Sequence, residues 1–286
     1  MRRDYWLRQI SQLDPEASYE QIYRIMSTYE FPWDMIQSLS FALFRTYAVP
    51  SIGSVLAGTG EFTQRTQKRY DDTVLILDAI LEHGADSDAG RTAIRRMNQM
   101  HGAYGISNDD LRYVLSTFVV VPIRWLDDYG WRPMSDIEKV ASANYYRQTA
   151  RYMGIKDLPQ TWQDFATLMD DYEREHFAYD PGGRKVADAT LRLMVGFQPR
   201  VASRVVEVFS RGLMDSPVLA ALDYQAPSAR VAQLSRSALR TRGRLERLLP
   251  PRRRPKLARQ QKTVRGYPNG YDVAALGTFP QRCPGS

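Results

Sequence analysis

Apolar residues recur at helical spacing along most of this chain, and that periodicity limits its fold more than any single motif. Met35, Ile36, Leu39, Ala42, Leu43 and Tyr47 fall on one helical face, the stripe of a helix packed against a core. Comparable stripes predict helices over residues 18–26, 67–82, 136–153, 161–177, 186–195 and 201–214, and a further helix carrying His101. There is no internal repeat and no strand–helix alternation, which excludes a doubly wound parallel sheet. The fold class expected is all-α: one mostly helical domain over residues 1–226 and an irregular basic extension over 227–286.

Punctuation refines this picture. Ser18 is a candidate first cap, and Pro32 in Phe31-Pro32-Trp33-Asp34 marks a turn before the next helix. Pro50 is expected to end that helix, and residues 51–60, with three glycines, read as a loop or broken turn. Gly84 suits a C-terminal cap, and Asp86-Ser87-Asp88 offers an N-cap for the His101 helix. Asn108-Asp109-Asp110 can start a helix through Phe118. The following Val119-Val120-Val121-Pro122-Ile123 is the most strand-like run, though Pro122 argues against a central strand. Asp180-Pro181-Gly182-Gly183 is a strong turn signal, and Gly266-Tyr267-Pro268-Asn269-Gly270-Tyr271 reads as irregular chain against the body.

Charge is unevenly placed. Residues 230–265 hold eleven Arg and two Lys against one acid, Glu246, a balance of +12 in a chain whose total is +7. The remainder therefore carries −5. Interleaved leucines make residues 230–265 a candidate contact for an anionic membrane surface, the bland alternative being a solvated or acid-paired extension. Nucleic acid ranks below both, because no recognised module or aromatic-basic platform accompanies the arginines. No apolar run reaches membrane-spanning length, and the start Met-Arg-Arg-Asp-Tyr-Trp has no signal-peptide pattern. A cytoplasmic protein, at most peripheral to a membrane, is the expectation. The lone Cys283 excludes an intrachain disulfide, and with proline beside it reads as incidental rather than as a thiolate ligand.

Three histidines limit the metal chemistry. Ile94, Met97, His101 and Tyr104 share one helical face, apolar apart from the imidazole. Such a face suits either a haem ligand against a porphyrin or a core histidine satisfied by backbone carbonyls. Arg69 and Thr73 lie one turn apart, with Leu77 on the same stripe. That pair can orient a small oxygen ligand or a cofactor carboxylate; alternatively Arg69 is a surface residue and Thr73 bonds back to a carbonyl. Glu173-x-x-His176 has the spacing of di-iron bundles, but no second Glu-x-x-His accompanies it. His83 reads as a terminal residue favoured by the helix dipole. Hydrolase elbow, dinucleotide and phosphate-loop motifs are absent.

Taken in order, several segments resemble the oxygenase family of MpaB and latex clearing protein, and more closely its MpaB-like branch. They are Arg69-x-x-x-Thr73, the loop after Gly84, the Arg-rich helix to His101-Gly102, and Tyr129-Gly130-Trp131-Arg132 followed by Glu138. Met153-Gly154-Ile155 before Pro159 completes the set, over about residues 30–180. The resemblance implies a helical fold around a buried pocket for haem b, with His101 as the iron ligand. It implies that Arg96, Met97 and Tyr104 contact the cofactor and that Arg69 and Thr73 serve catalysis. The implied reaction is O₂-dependent cleavage of a carbon–carbon double bond in an isoprenoid-like, apolar or lipid-like substrate. The rubber-cleaving members carry lysine immediately before the threonine and arginines three before and four after the histidine. Here those positions are Asp72, Asn98 and Gly105, which points away from rubber and leaves the sixth iron ligand open. A distal glutamate base has no clear match, Glu61 being merely nearby. The alternative from a different class is a non-enzymatic helical protein that docks on anionic membrane through its basic region.

Overall fold

The computed structural model describes residues 2–277; Cys283 lies outside them. Among the described residues there are fourteen α-helices and no strand, so the expected all-α class holds. They are α1 (Tyr5–Ile10), α2 (Tyr19–Ile25), α3 (Pro32–Tyr47), α4 (Pro50–Gly58), α5 (Glu61–Gln64), α6 (Thr66–His83) and α7 (Asp88–Gly102). Then come α8 (Asn108–Tyr129), α9 (Asp136–Tyr152), α10 (Trp162–His176), α11 (Pro181–Gly196), α12 (Ser203–Leu213), α13 (Ser216–Ala221) and α14 (Ala229–Glu246).

Caps set many of these boundaries. The Ser87 hydroxyl accepts from Gly90 N–H at the start of α7, and Ser107 does the same for Asp110 in α8. Reciprocal capping boxes, Ser135–Glu138 and Thr161–Asp164, open α9 and α10. Gly84, at φ 80°, ends α6.

Three readings of the punctuation are corrected. Residues 51–60 are mostly helix: Pro50 begins α4 at its first turn, where a missing N–H costs nothing. Gly53 is a contact residue there, because a Cβ on it would sit 2.7 Å from Gly183 Cα on α11. The run over residues 119–123 is no strand. It continues α8 through Pro122, with Val119, Val120 and Ile123 all buried between α3, α9, α10 and α14. Asp180 caps α11, and the two glycines fall inside its first turn. The short helix α13 had no expected counterpart.

The charge asymmetry has a structural cause. The body buries acids, and the basic region supplies their partners. Asp34, 0% exposed, accepts from Arg242 on α14 (2.7 and 3.1 Å) and from the Trp125 indole (3.0 Å). Asp78 on α6 accepts the backbone N–H groups of Ala258 and Arg259, and Asp71 those of Arg265 and Gly266. Asp72 accepts from Lys68 (2.8 Å) and from the Tyr267 hydroxyl. Residues 256–277 thus strap α6 along its outer side, and charge-assisted bonds to buried carboxylates are the strong kind. A separate network buries Glu30 and Glu138 around Arg132, at 3.0 and 2.7 Å.

No single helix among the described residues is long and apolar enough to cross a membrane. The pair α3 and α4 passes by composition alone but is bent by 99°, and both helices are packed into the protein.

Candidate active site

Helices α6 and α7 form an antiparallel hairpin joined by the short loop after Gly84, and they pack along their length. Their inner faces, with α3, α4 and parts of α8 and α9, enclose a mostly apolar cavity of about 590 Å³. That volume lies in the range of small-molecule and cofactor sites.

His101 lines this cavity from the last turn of α7, with Met97 one turn before it and Tyr104 just beyond the helix end. Ile94, expected on the same face, is instead core, at 4% exposure. Nδ1 of His101 is buried with no hydrogen-bond partner, and among the described residues the other ring nitrogen has none either. The reading of His101 as a core histidine satisfied by carbonyls therefore fails. Burial, and secondarily the positive charge of Arg69, push its pKa down to about 4, so the imidazole is neutral at ordinary pH. A neutral, unpartnered imidazole on an apolar wall is the donor that haem iron takes. An orphaned polar atom otherwise costs about 1–3 kcal/mol. The residues present therefore fit haem b.

Arg69 and Thr73 line the cavity from α6, facing the His101 helix. Arg69 is enclosed rather than a surface residue, and burial lowers its pKa. Its Nη1 donates to Thr73 Oγ1, while that hydroxyl donates back to the Arg69 carbonyl at 3.1 Å. No carboxylate pairs with the guanidinium within 4 Å among the described residues, and it lies 5.1 Å over the Phe62 ring. The remaining N–H donors are thus uncommitted beside the cavity.

Arg96 is not brought to this site. Its Nε donates to the Leu276 carbonyl and its Nη1 to Gln99 at 3.4 Å, so it holds the strap against α7. Asp72, at the position of the rubber-oxygenase lysine, faces Lys68 and Tyr267 and not the cavity. Asn98 donates to the Tyr152 carbonyl (2.8 Å), and Gly105 lines the cavity rim.

Sequence reasoning gave Glu61 no clear role. Glu61, in α5, is buried; Oε1 accepts from Arg65, while Oε2 is buried without a partner, and the residue lines the cavity near Arg69. Its only sequence signal was proximity to the Arg69 segment. The competing site dissolves: both Glu173 oxygens bind Arg45, and His176 Nδ1 lies 3.0 Å from the Tyr172 carbonyl with its ring stacked on Tyr172. No cluster of three potential metal-ligating His, Cys, Asp or Glu side chains occurs among the described residues.

Residues 30–248 match the family described as "ER-bound oxygenase mpaB/B'/Rubber oxygenase, catalytic domain". The chain is similar to ER-bound oxygenase mpaB' of Penicillium brevicompactum, 30% identical over 255 residues, covering 83% of this chain and 60% of that protein. It is also similar to mpaB of the same organism, 30% identical over 192 residues, covering 61% of this chain and 49% of that one. With mpaB of Penicillium roqueforti (strain FM164) the identity is 28% over 222 residues, covering 71% and 74%. The chain thus spans about half to three quarters of the length of these relatives.

Proposed function

This chain belongs to the catalytic-domain family of the ER-bound oxygenases mpaB/B' and the rubber oxygenases, and we propose that it is a haem-dependent oxygenase that cleaves a carbon–carbon double bond in an apolar, isoprenoid-like substrate. One observation carries the cofactor assignment: His101 presents a neutral imidazole, without a protein partner, to a mostly apolar cavity. Haem b held by His101 would supply an iron that binds and activates O₂.

The chain's own residues do the rest. Met97 and Tyr104 would flank the cofactor on the His101 wall. The apolar walls exclude water and align an unsaturated chain. Arg69, anchored by Thr73, directs uncommitted N–H donors toward oxygen atoms or a cofactor carboxylate. Glu61 Oε2 can hold or move a proton at the cavity wall. Asp72, turned into the strap, takes no part.

The test is incubation of the haem-loaded protein with squalene under ¹⁸O₂. Carbonyl products carrying ¹⁸O, formed faster than with free haem, are expected; product formation no faster than with free haem would remove this reading.

A second property rests on a different observation. Leu234, Ala238, Thr241 and Leu245 share one exposed stripe of α14, continued by Leu248 and Leu249. The four leucines are 58–80% exposed. Arg230, Arg244 and Arg247 are their neighbours along the chain, Arg253 and Arg254 follow just after, all five are exposed, and none has an ion-pair partner among the described residues. We propose that this face rests on an anionic membrane surface, where apolar burial and charge act together. Co-sedimentation with phosphatidylserine vesicles should weaken strongly in Leu248→Glu/Leu249→Glu; unchanged binding would refute the contact.

A further inference from the structure

Exposed residues line the cavity at two places, and the charges there are opposite. Four of its lining residues are exposed: Ser51, Gly105 and Ser107 on one side, and Lys256 on the other. The first three lie at the His101 end. Ser51, Ser107 and Asp110 also line an open surface groove carrying Asp109, Asp157, Asp164, Asp171 and Glu175, with Arg112 as the one Lys or Arg among its lining residues. Asp109 already pairs with Arg112 at 3.1 Å, so the acids there outnumber the cations.

Lys256 lies at the far end of α6. Its backbone N–H donates to the Thr28 carbonyl at 2.9 Å, which pins it beside the cavity. Ser27, Thr28, Asp78 and Ala258 line the same end. Asp78 is the one carboxylate among these, and its two oxygens are occupied by the backbone N–H groups of Ala258 and Arg259. The Lys256 ammonium has no ion-pair partner among the described residues, and Arg253 and Arg254 stand exposed just before it. Arg69 and Asp78 are nine residues apart on α6, roughly 13 Å at about 1.5 Å per residue.

We propose that the cavity takes an unsaturated apolar chain bearing an anionic head group, a carboxylate or phosphate, held at Lys256 with the chain running along α6 toward Arg69 and His101. This rests on the reading of the cavity as the substrate chamber. Lys256 is then a specificity-determining and orienting residue. An anionic head is attracted at its rim and repelled from the acidic rim, so the chain enters in one direction. The bond presented to the His101 end is remote from the head, because the two ends of α6 separate them.

The test compares geranylgeranoic acid with geranylgeraniol, the same chain with a charged or a neutral head, by titration calorimetry on the full chain with whatever cofactor it carries. The acid is expected to bind about tenfold tighter, the ~1.4 kcal/mol that a tenfold ratio represents. Lys256→Gln should collapse that preference and Lys256→Glu should reverse it; Arg192→Gln, at an exposed residue that does not line the cavity, should leave the preference intact. Equal binding of acid and alcohol by the wild type overturns the proposal, as does a preference that survives Lys256→Gln. Binding of a phosphate-headed chain in place of the acid would name the source of the anion. Failure of both the acid and the alcohol to bind removes the chamber itself. Haem retention by wild type against His101→Ala is scored separately, so loss of the head-group rule and loss of the oxygenase reading remain distinct.

Discussion

Arg69 and His101 line one cavity from adjacent antiparallel helices, and the guanidinium adds to burial in lowering the imidazole's pKa to about 4. An unperturbed histidine titrates near 6.5. Between those values the unfolded chain takes the proton first, so stability rises with pH and is lost as pH falls from about 6.5 toward 4. The haem-free protein should therefore lose more Tm between pH 7 and pH 5 than His101→Phe does. Parallel pH profiles would refute the neutral, buried assignment.

Arg69→Met should retain the cofactor and lower the oxygenation rate by about 10²-fold, the usual loss when one well-placed donor is removed. Thr73→Val should lose less, since it anchors the guanidinium and need not touch the oxygen. The same Arg69→Met change should raise the His101 pKa in the haem-free protein, followed by NMR titration of the ring protons. An unmoved pKa would mean that the two groups do not act on each other.

The Arg132 motif is predicted to matter for stability, not chemistry. Arg132 pairs with Glu30 and Glu138, both 0% exposed. Arg132→Met would leave two buried carboxylates without it, at a cost of about 3–5 kcal/mol. Urea unfolding measures this, and a cost below about 1 kcal/mol would contradict it.

Gly53→Ala should separate α4 from α11, because its Cβ would meet Gly183 Cα at 2.7 Å and the Tyr47 carbonyl oxygen at 3.0 Å, and neither backbone can yield alone. The expected loss is about 1–3 kcal/mol. Gly58→Ala, which meets nothing within 4 Å, is the control and should be neutral or slightly stabilising. Equal unfolding midpoints for the two variants would refute the close-packing role.

What could be read from sequence follows from the range of the interactions. Helix stripes and the cap at Ser87 are local and were legible. The α4 segment looked like a loop because Gly53 answers to Gly183, far along the chain. At the site, one-turn spacing predicted that Arg69 joins Thr73 and that Met97 joins His101. Arg96 turned away, which its five-residue offset from His101 already implied, since about 100° per residue puts it roughly 140° around the helix. Glu61 and Lys256 reach the cavity from other elements, and no spacing relates them to His101.

The central claim is that His101 holds haem. Purified wild type titrated with haem should give a sharp Soret band at one equivalent, with iron and protein in equal amounts. His101→Ala, folded to the same helical content, should lose that band or shift it strongly. Wild type that stays colourless after reconstitution, or a His101→Ala variant with the wild-type spectrum and affinity, would contradict the account.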